Sequence, residues 1–127
     1  DIFWKKVKNL EAFSSTPNNM IRIVVPPSQT VQIVYLLSSL KCKYYIDWGG
    51  SLIWAEIFQL TKEIFESLRN RVIKNGGYMS MIKFSDYLPH VEEMFVIKRE
   101  KFFITQNVKK SFDPKKILNP GKMYTGI

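Results

Sequence analysis

The chain has 127 residues, 46% of them hydrophobic and 14% aromatic, which supports one packed core, excludes a disordered chain and leaves little room for a cofactor domain beside a substrate domain. Nineteen Lys and Arg against eleven Asp and Glu give a net charge of +8, which admits nucleic acid, an anionic membrane or an acidic partner without choosing among them. The single cysteine, Cys42, excludes an intramolecular disulfide framework and a Cys-rich zinc site and suits a reducing compartment, and no apolar run approaches the ~20 residues that span a bilayer.

Phe3, Trp4, Val7 and Leu10 fall in helical register within FWKKVKNLEAF, predicting a short helix packed at an edge, and SSTPNN reads as a linker. The first residues lack the apolar segment of a signal peptide, and with Asp1 rather than Met at the start the expectation is a C-terminal piece of a longer protein. MIRIVVP is a β-branched run halted by Pro26 and Pro27, since proline has no amide hydrogen to give a ladder; it predicts the first strand. Ser28 is then placed as the N-cap of a helix with Val31, Ile33, Val34, Leu37 and Leu40 at helical spacing.

KYYIDW and SLIWAEIF flank Gly49 and Gly50, the signature of a tight hairpin whose central residues adopt positive φ. That turn sets Lys43 opposite Glu56, Tyr44 opposite Ala55, Tyr45 opposite Trp54, Ile46 opposite Ile53, Asp47 opposite Leu52 and Trp48 opposite Ser51. Tyr44, Ile46, Trp48, Ile53 and Ala55 are the expected core face, and Tyr45 with Trp54 the expected partly covered one. From Leu60 onward Ile64, Phe65, Leu68 and Val72 form one helical stripe, with Glu63 and Glu66 ahead of Arg69, Arg71 and Lys74 as the helix dipole favours. Asn75, Gly76 and Gly77 end this helix, YMSMIKF alternates as a fourth strand, and SDYLPHVEEMF is expected to be irregular.

A basic helix is predicted over residues 98–112, with Ile104, Val108 and Phe112 on one side, ended by Asp113 and Pro114. Residues 98–127 hold eight basic and two acidic side chains, so +6 of the net charge lies there: either solvating lysines, or a patch for a phosphate-bearing cofactor or an acidic partner. The order strand, helix, strand, strand, helix, strand predicts an α+β, ferredoxin-like βαββαβ antiparallel sheet with both helices on one face. The expected organisation is an N-terminal helix and linker (1–19), a ferredoxin-like domain (20–97), and a C-terminal helix and extended tail (98–127).

Catalytic residue types are sparse. His90 is the only histidine, with no second His or Cys at ligand spacing, so no catalytic and no metal residue is assigned. Glu92 and Glu93 are adjacent and diverge on any regular element. Neither a GxGxxG loop nor a Walker loop is present. In FDPKKILNPGKMY, by contrast, Asp113 can cap a turn that Pro114 pre-organises, Ile117 and Leu118 are expected to plug an apolar surface, and Asn119, Pro120 and Gly121 force a change of direction. A rigid turn presenting one amide suits the edge of a polar heterocycle.

The run VKKSFDPKKILNPGKMY resembles the C-terminal signature of the FAD-linked oxidases of the vanillyl-alcohol oxidase type, approximately K-x-x-F-D-P-x-x-I-L/F-N-P-G-K/R. With FWKKVKNLEAF, IRIVVPPS, IDWGGSLIW and the Gly76–Gly77 pair, nearly the whole chain is similar to the cap and C-terminal region of glycolate oxidase FAD-binding subunits. The resemblance implies FAD held mainly by an N-terminal domain outside this chain, with Asn119 near the isoalloxazine and Gly121 and Lys122 supporting it. It implies oxidation of a 2-hydroxy acid such as glycolate, flavin and iron–sulfur partner subunits, and a cytoplasmic location, peripheral to the membrane through those subunits. Two departures bear on catalysis: Tyr78 follows the Gly-Gly pair where relatives carry histidine, and the histidine-rich motif of the larger flavin subunits is absent. Because the resemblance places most of the flavin site outside this chain, the fragment alone is expected to be inactive. The competing reading is a non-catalytic ferredoxin-like module for docking or for single-stranded nucleic acid; the missing RRM signature argues against the latter.

Overall fold

The computed structural model describes residues 1–13, 18–84, 95–122 and 124; His90, Glu92, Glu93 and most of the stretch expected to be irregular lie outside the described residues. The β-branched run forms β1 (Met20–Val24), which the two prolines stop as expected. Pro27 opens a short 3-10 turn (Pro27–Gln29) closed by the Gln29 N–H to the Pro26 carbonyl at 2.8 Å. Gln29, not Ser28, is therefore the residue ahead of α2 (Thr30–Ser39): the proline-initiated turn absorbs Ser28 before the α-helix begins. The Thr30 hydroxyl donates to the Gly50 carbonyl, tying the start of α2 to the hairpin.

The hairpin forms with the expected register, Lys43 opposite Glu56 through Asp47 opposite Leu52, between β2 (Lys43–Asp47) and β3 (Leu52–Glu56), but the expected pair of Trp48 with Ser51 is missing, because both residues are taken into the turn. Gly49 and Gly50 stand at φ +60 and +98, as a tight turn of this hand demands. Trp48 departs from expectation. It too is left-handed, at φ +51, so the chain leaves the extended path one residue before the glycines and Trp48 stands 57% exposed on the face of the sheet opposite α2. Ile46, on the edge strand with one neighbour instead of two, is 44% exposed, while Ile53 and Ala55 are fully buried.

α3 (Lys62–Lys74) starts at Thr61, whose hydroxyl accepts from the Ile64 N–H at 3.3 Å, and buries Phe65, Leu68 and Val72 as the stripe required. It ends in a left-handed cap in which Gly76 N–H donates to Ile73 and Gly77 N–H to Val72. α2 closes by the same device with Lys41 at φ +53, bonding Lys41 N–H to Ser38 and Cys42 N–H to Leu37. Lysine bears a Cβ penalty there that glycine does not. Lys41→Gly is expected to raise stability by about 0.5 kcal/mol, read as a higher urea midpoint; a lower midpoint would contradict this account of the cap.

β4 (Tyr78–Lys83) completes the order β2-β3-β1-β4-β5, all antiparallel, in which the first four strands follow the ferredoxin-like order. The fifth strand, Phe95–Val96, is an addition to the expected fold: it pairs with Ser80 and Met79, whereas SDYLPHVEEMF predicts irregular chain as far as Phe95. Ile21, Ile23, Ile53, Ala55, Met79 and Met81 face α2 and α3 in one buried cluster. On the opposite, open face the registers line up Tyr45, Trp54, Arg22, Ser80 and Phe95 as one row across all five strands. α1 (Ile2–Lys8) buries no side chain, and its end borders that face beside the edge strand β2. Val7 and Leu10 line a cleft there, and buried Phe13 stacks on Tyr45 at 5.5 Å, while Phe3 and Trp4 stay exposed.

Candidate cofactor-contact turn in the C-terminal tail

The basic helix α4 (Arg99–Phe112) ends at Asp113, as predicted from Asp113–Pro114. Asp113 N–H still reaches the Lys109 carbonyl at 2.7 Å, and Pro114 then prevents another turn of helix. The chain folds back at once, with the Lys116 N–H bonded to the Asp113 carbonyl at 3.0 Å. That reversal brings two amides onto one carboxylate: Ile117 N–H donates to Asp113 Oδ1 at 3.0 Å and Leu118 N–H to Oδ2 at 2.9 Å. Lys109, one helical turn earlier, donates its Nζ to Oδ2 at 2.6 Å and also to the Leu118 carbonyl. The Lys109 ammonium, aided by these two amides, holds the Asp113 carboxyl down at about 2.

This clamp fixes the residue that leads into the predicted site. Asn119 stands at φ +48 and Gly121 at φ +69, and Lys122 N–H returns to the Asn119 carbonyl at 3.3 Å. Proline at the second position and left-handed glycine at the third match a turn that reverses the chain in four residues. Beyond it Tyr124 is buried, its ring edge-on to Phe102 of α4 at 5.2 Å and tilted against Phe95 of β5 at 6.1 Å. The turn is fastened on both sides, by a carboxylate before it and an aromatic anchor after it.

Asn119, Gly121 and Lys122 are all exposed, and the structure brings them together at the tip of the turn. No heavy atom lies within 4 Å of where a Cβ on Gly121 would project, so a flat ring can approach that backbone closely. Ile117 and Leu118 plug no apolar surface among the described residues: they are 73% and 58% exposed, and it is their amides that the clamp engages. Ile104, Val108 and Phe112 do share one side of α4, and that side is also exposed. Lys109 and Tyr124 went unassigned at the sequence level. The four-residue spacing of Lys109 and Asp113 at a helix end is a signal that would have found the first.

Other reactive groups offer little. Burial pushes the Cys42 thiol up, away from nucleophilic use. Among the described residues no group of His, Cys, Asp and Glu is placed to hold a metal ion, and no helix is long and apolar enough to cross a membrane.

The chain is similar to glycolate oxidase subunit GlcE of Escherichia coli (strain K12). The two are 26% identical over 128 residues, covering 98% of this chain and 32% of GlcE. The chain thus spans about a third of the length of the relative it matches. No family model matches it, and no solved structure gives a significant match.

Proposed function

We propose that this chain is the cap and C-terminal region of a subunit of an FAD-dependent oxidoreductase acting on a 2-hydroxy acid such as glycolate. Similarity to GlcE along nearly the whole chain supports the family, and one structural observation carries the role of the tail: the Asn119–Lys122 turn is exposed at its tip and fastened at both ends. Its groups suit the edge of a planar heterocycle. Asn119 offers an amide donor and a carbonyl acceptor, Gly121 leaves open space, and Lys122 adds a cation. In this reading Asn119 meets the isoalloxazine edge, Lys122 balances negative charge near it, and most other cofactor contacts come from a flavin-binding domain outside this chain. The flavin supplies the two-electron acceptor for the hydroxyl-bearing carbon, and an iron–sulfur subunit is the partner to which those electrons go.

In the same reading residues 98–127 dock on the flavin-binding domain, bringing most of the net positive charge with them. The exposed apolar side of α4, with Ile117 and Leu118, is the surface that docking covers. The assembly sits in the cytoplasm, peripheral to the membrane through its partners. This chain assigns no catalytic side chain and is inactive alone.

The parent protein, purified with the residues that precede Asp1, is expected to carry flavin absorbance. A parent that comes colourless and takes up no added FAD would sink the proposal. Asn119→Ala in that parent is expected to shift the flavin spectrum and lower turnover by about tenfold, the scale of one lost hydrogen bond to the reacting system. An unchanged spectrum with unchanged turnover would reduce the tail to a docking arm.

A further inference from the structure

We propose that Arg22 is the anion-receiving group of a binding site for a small monocarboxylate on the open face of the sheet. The site stands whether or not the tail turn meets a flavin. β1 is the central strand, so Arg22 is placed mid-sheet, directly between Trp54 and Ser80 in the cross-strand row. It is half-buried there, and a charged group taken partly out of water at mid-sheet calls for a partner.

The partner it has is a ring. Its guanidinium carbon lies 5.1 Å from the centroid of Trp48, the side chain that left the expected core face. A ring face engages the guanidinium as a cation and leaves its N–H donors free to fork onto a carboxylate. Among the described residues those donors make no hydrogen bond and no ion pair. Asp47, the acidic residue lining the same cleft, turns one carboxylate oxygen back to the Trp48 N–H at 2.7 Å.

The rest of the cleft selects the ligand. Lys8 and Arg22 against Asp47 leave one net positive charge among the lining side chains, enough for a monoanion, whereas a phosphate dianion would face Asp47 with its second charge unmatched. Burial and the nearby Asp47 push the Tyr45 phenol up, so it adds no negative charge at neutral pH. Trp48, Trp54 and Leu10 supply apolar walls, which favour a ligand with a small hydrocarbon body over a bare inorganic ion.

The experiment uses this chain without flavin. Sodium butyrate is titrated while tryptophan fluorescence is followed, with butyramide and inorganic phosphate as comparisons, each at constant ionic strength and at mildly alkaline pH, where phosphate is mostly the dianion. A saturable change is expected with butyrate, at least tenfold weaker with phosphate and absent with butyramide. Arg22→Gln is expected to weaken butyrate binding by tenfold or more, and Arg22→Lys by several-fold, since lysine keeps the charge but not the planar fork. Far-UV circular dichroism checks both variants; if Arg22→Gln fails to fold, Arg22→Lys alone carries the comparison. A flat titration, phosphate binding as tightly as butyrate, or a folded variant that binds like the wild type would each overturn the site.

Discussion

Gly77→Ala is expected to destabilise the fold by about 3 kcal/mol, on the order of a hundredfold in the folded-to-unfolded ratio. A Cβ at this position would lie 2.4 Å from Val25 Cγ1 and 2.5 Å from the Val24 carbonyl oxygen, with Val72 Cγ1 at 3.1 Å. The valine methyls have some freedom, but the carbonyl belongs to the strand end against which the chain leaving α3 packs, so relief requires moving backbone. Gly49→Ala is the matched control. It also places alanine on a glycine, at φ +60 with no heavy atom within 4 Å, so only the left-handed penalty of about 1 kcal/mol applies. Urea unfolding of both variants separates the causes. Equal midpoints would show that the contact at Gly77 relaxes without cost and that conformation alone matters.

Loss of the Asp113 charge is expected to release the tail turn. The carboxyl is held from its ordinary 3.8 down to about 2, so its contribution to the folded tail is fully present above the ordinary value and is lost as pH falls through about 2. The Asp113 carboxyl carbon, followed by NMR, should titrate near that lower value, and the Ile117 and Leu118 amide signals should move with it. A titration near 3.8 would mean that Lys109 does not hold the group in solution. Asp113→Asn tests the clamp at neutral pH. An amide cannot accept at both of its terminal atoms; its oxygen keeps the place of Oδ2, where Lys109 and the Leu118 N–H both donate, so the Ile117 N–H meets a donor and its exchange should accelerate by about tenfold or more. Lys109→Met should give a smaller acceleration, since both backbone bonds to the carboxylate survive it. Unchanged protection in both variants would leave the turn held by Pro120 and Tyr124 alone.

What could be read in advance followed the range of the interactions involved. The hairpin register matched from Lys43–Glu56 to Asp47–Leu52, losing only Trp48–Ser51 to the turn itself, because two adjacent glycines dictate the turn and the turn sets the register of the pairs behind it. The α3 stripe was legible because Phe65, Leu68 and Val72 repeat at the helical period within one element. β5 was not, since two residues hold no period and Phe95–Val96 becomes a strand only by pairing with Met79 and Ser80. Trp48 misled because alternation continues through it on paper, whereas its backbone has already turned left-handed. In the tail, proline and glycine announced the Asn119–Lys122 turn, which is a local matter. Its second fastening was hidden, because Tyr124 finds Phe95 and Phe102 only after the sheet and α4 are in place.

The position of β1 has a consequence for how the chain is made. Its two neighbours, β3 and β4, are synthesised later, so the strand that begins at Met20 emerges with both hydrogen-bonding edges bare. β3 covers one edge when the hairpin arrives, but the other stays open until the ribosome has passed Lys83. Nascent chains stalled between the hairpin and β4 therefore display a strand of Met, Ile and Val around the single charge of Arg22, with one free edge, the kind of surface on which chains join one another. Release of Tyr78–Lys83 is the event that closes it, and chaperone dependence should fall sharply at that length.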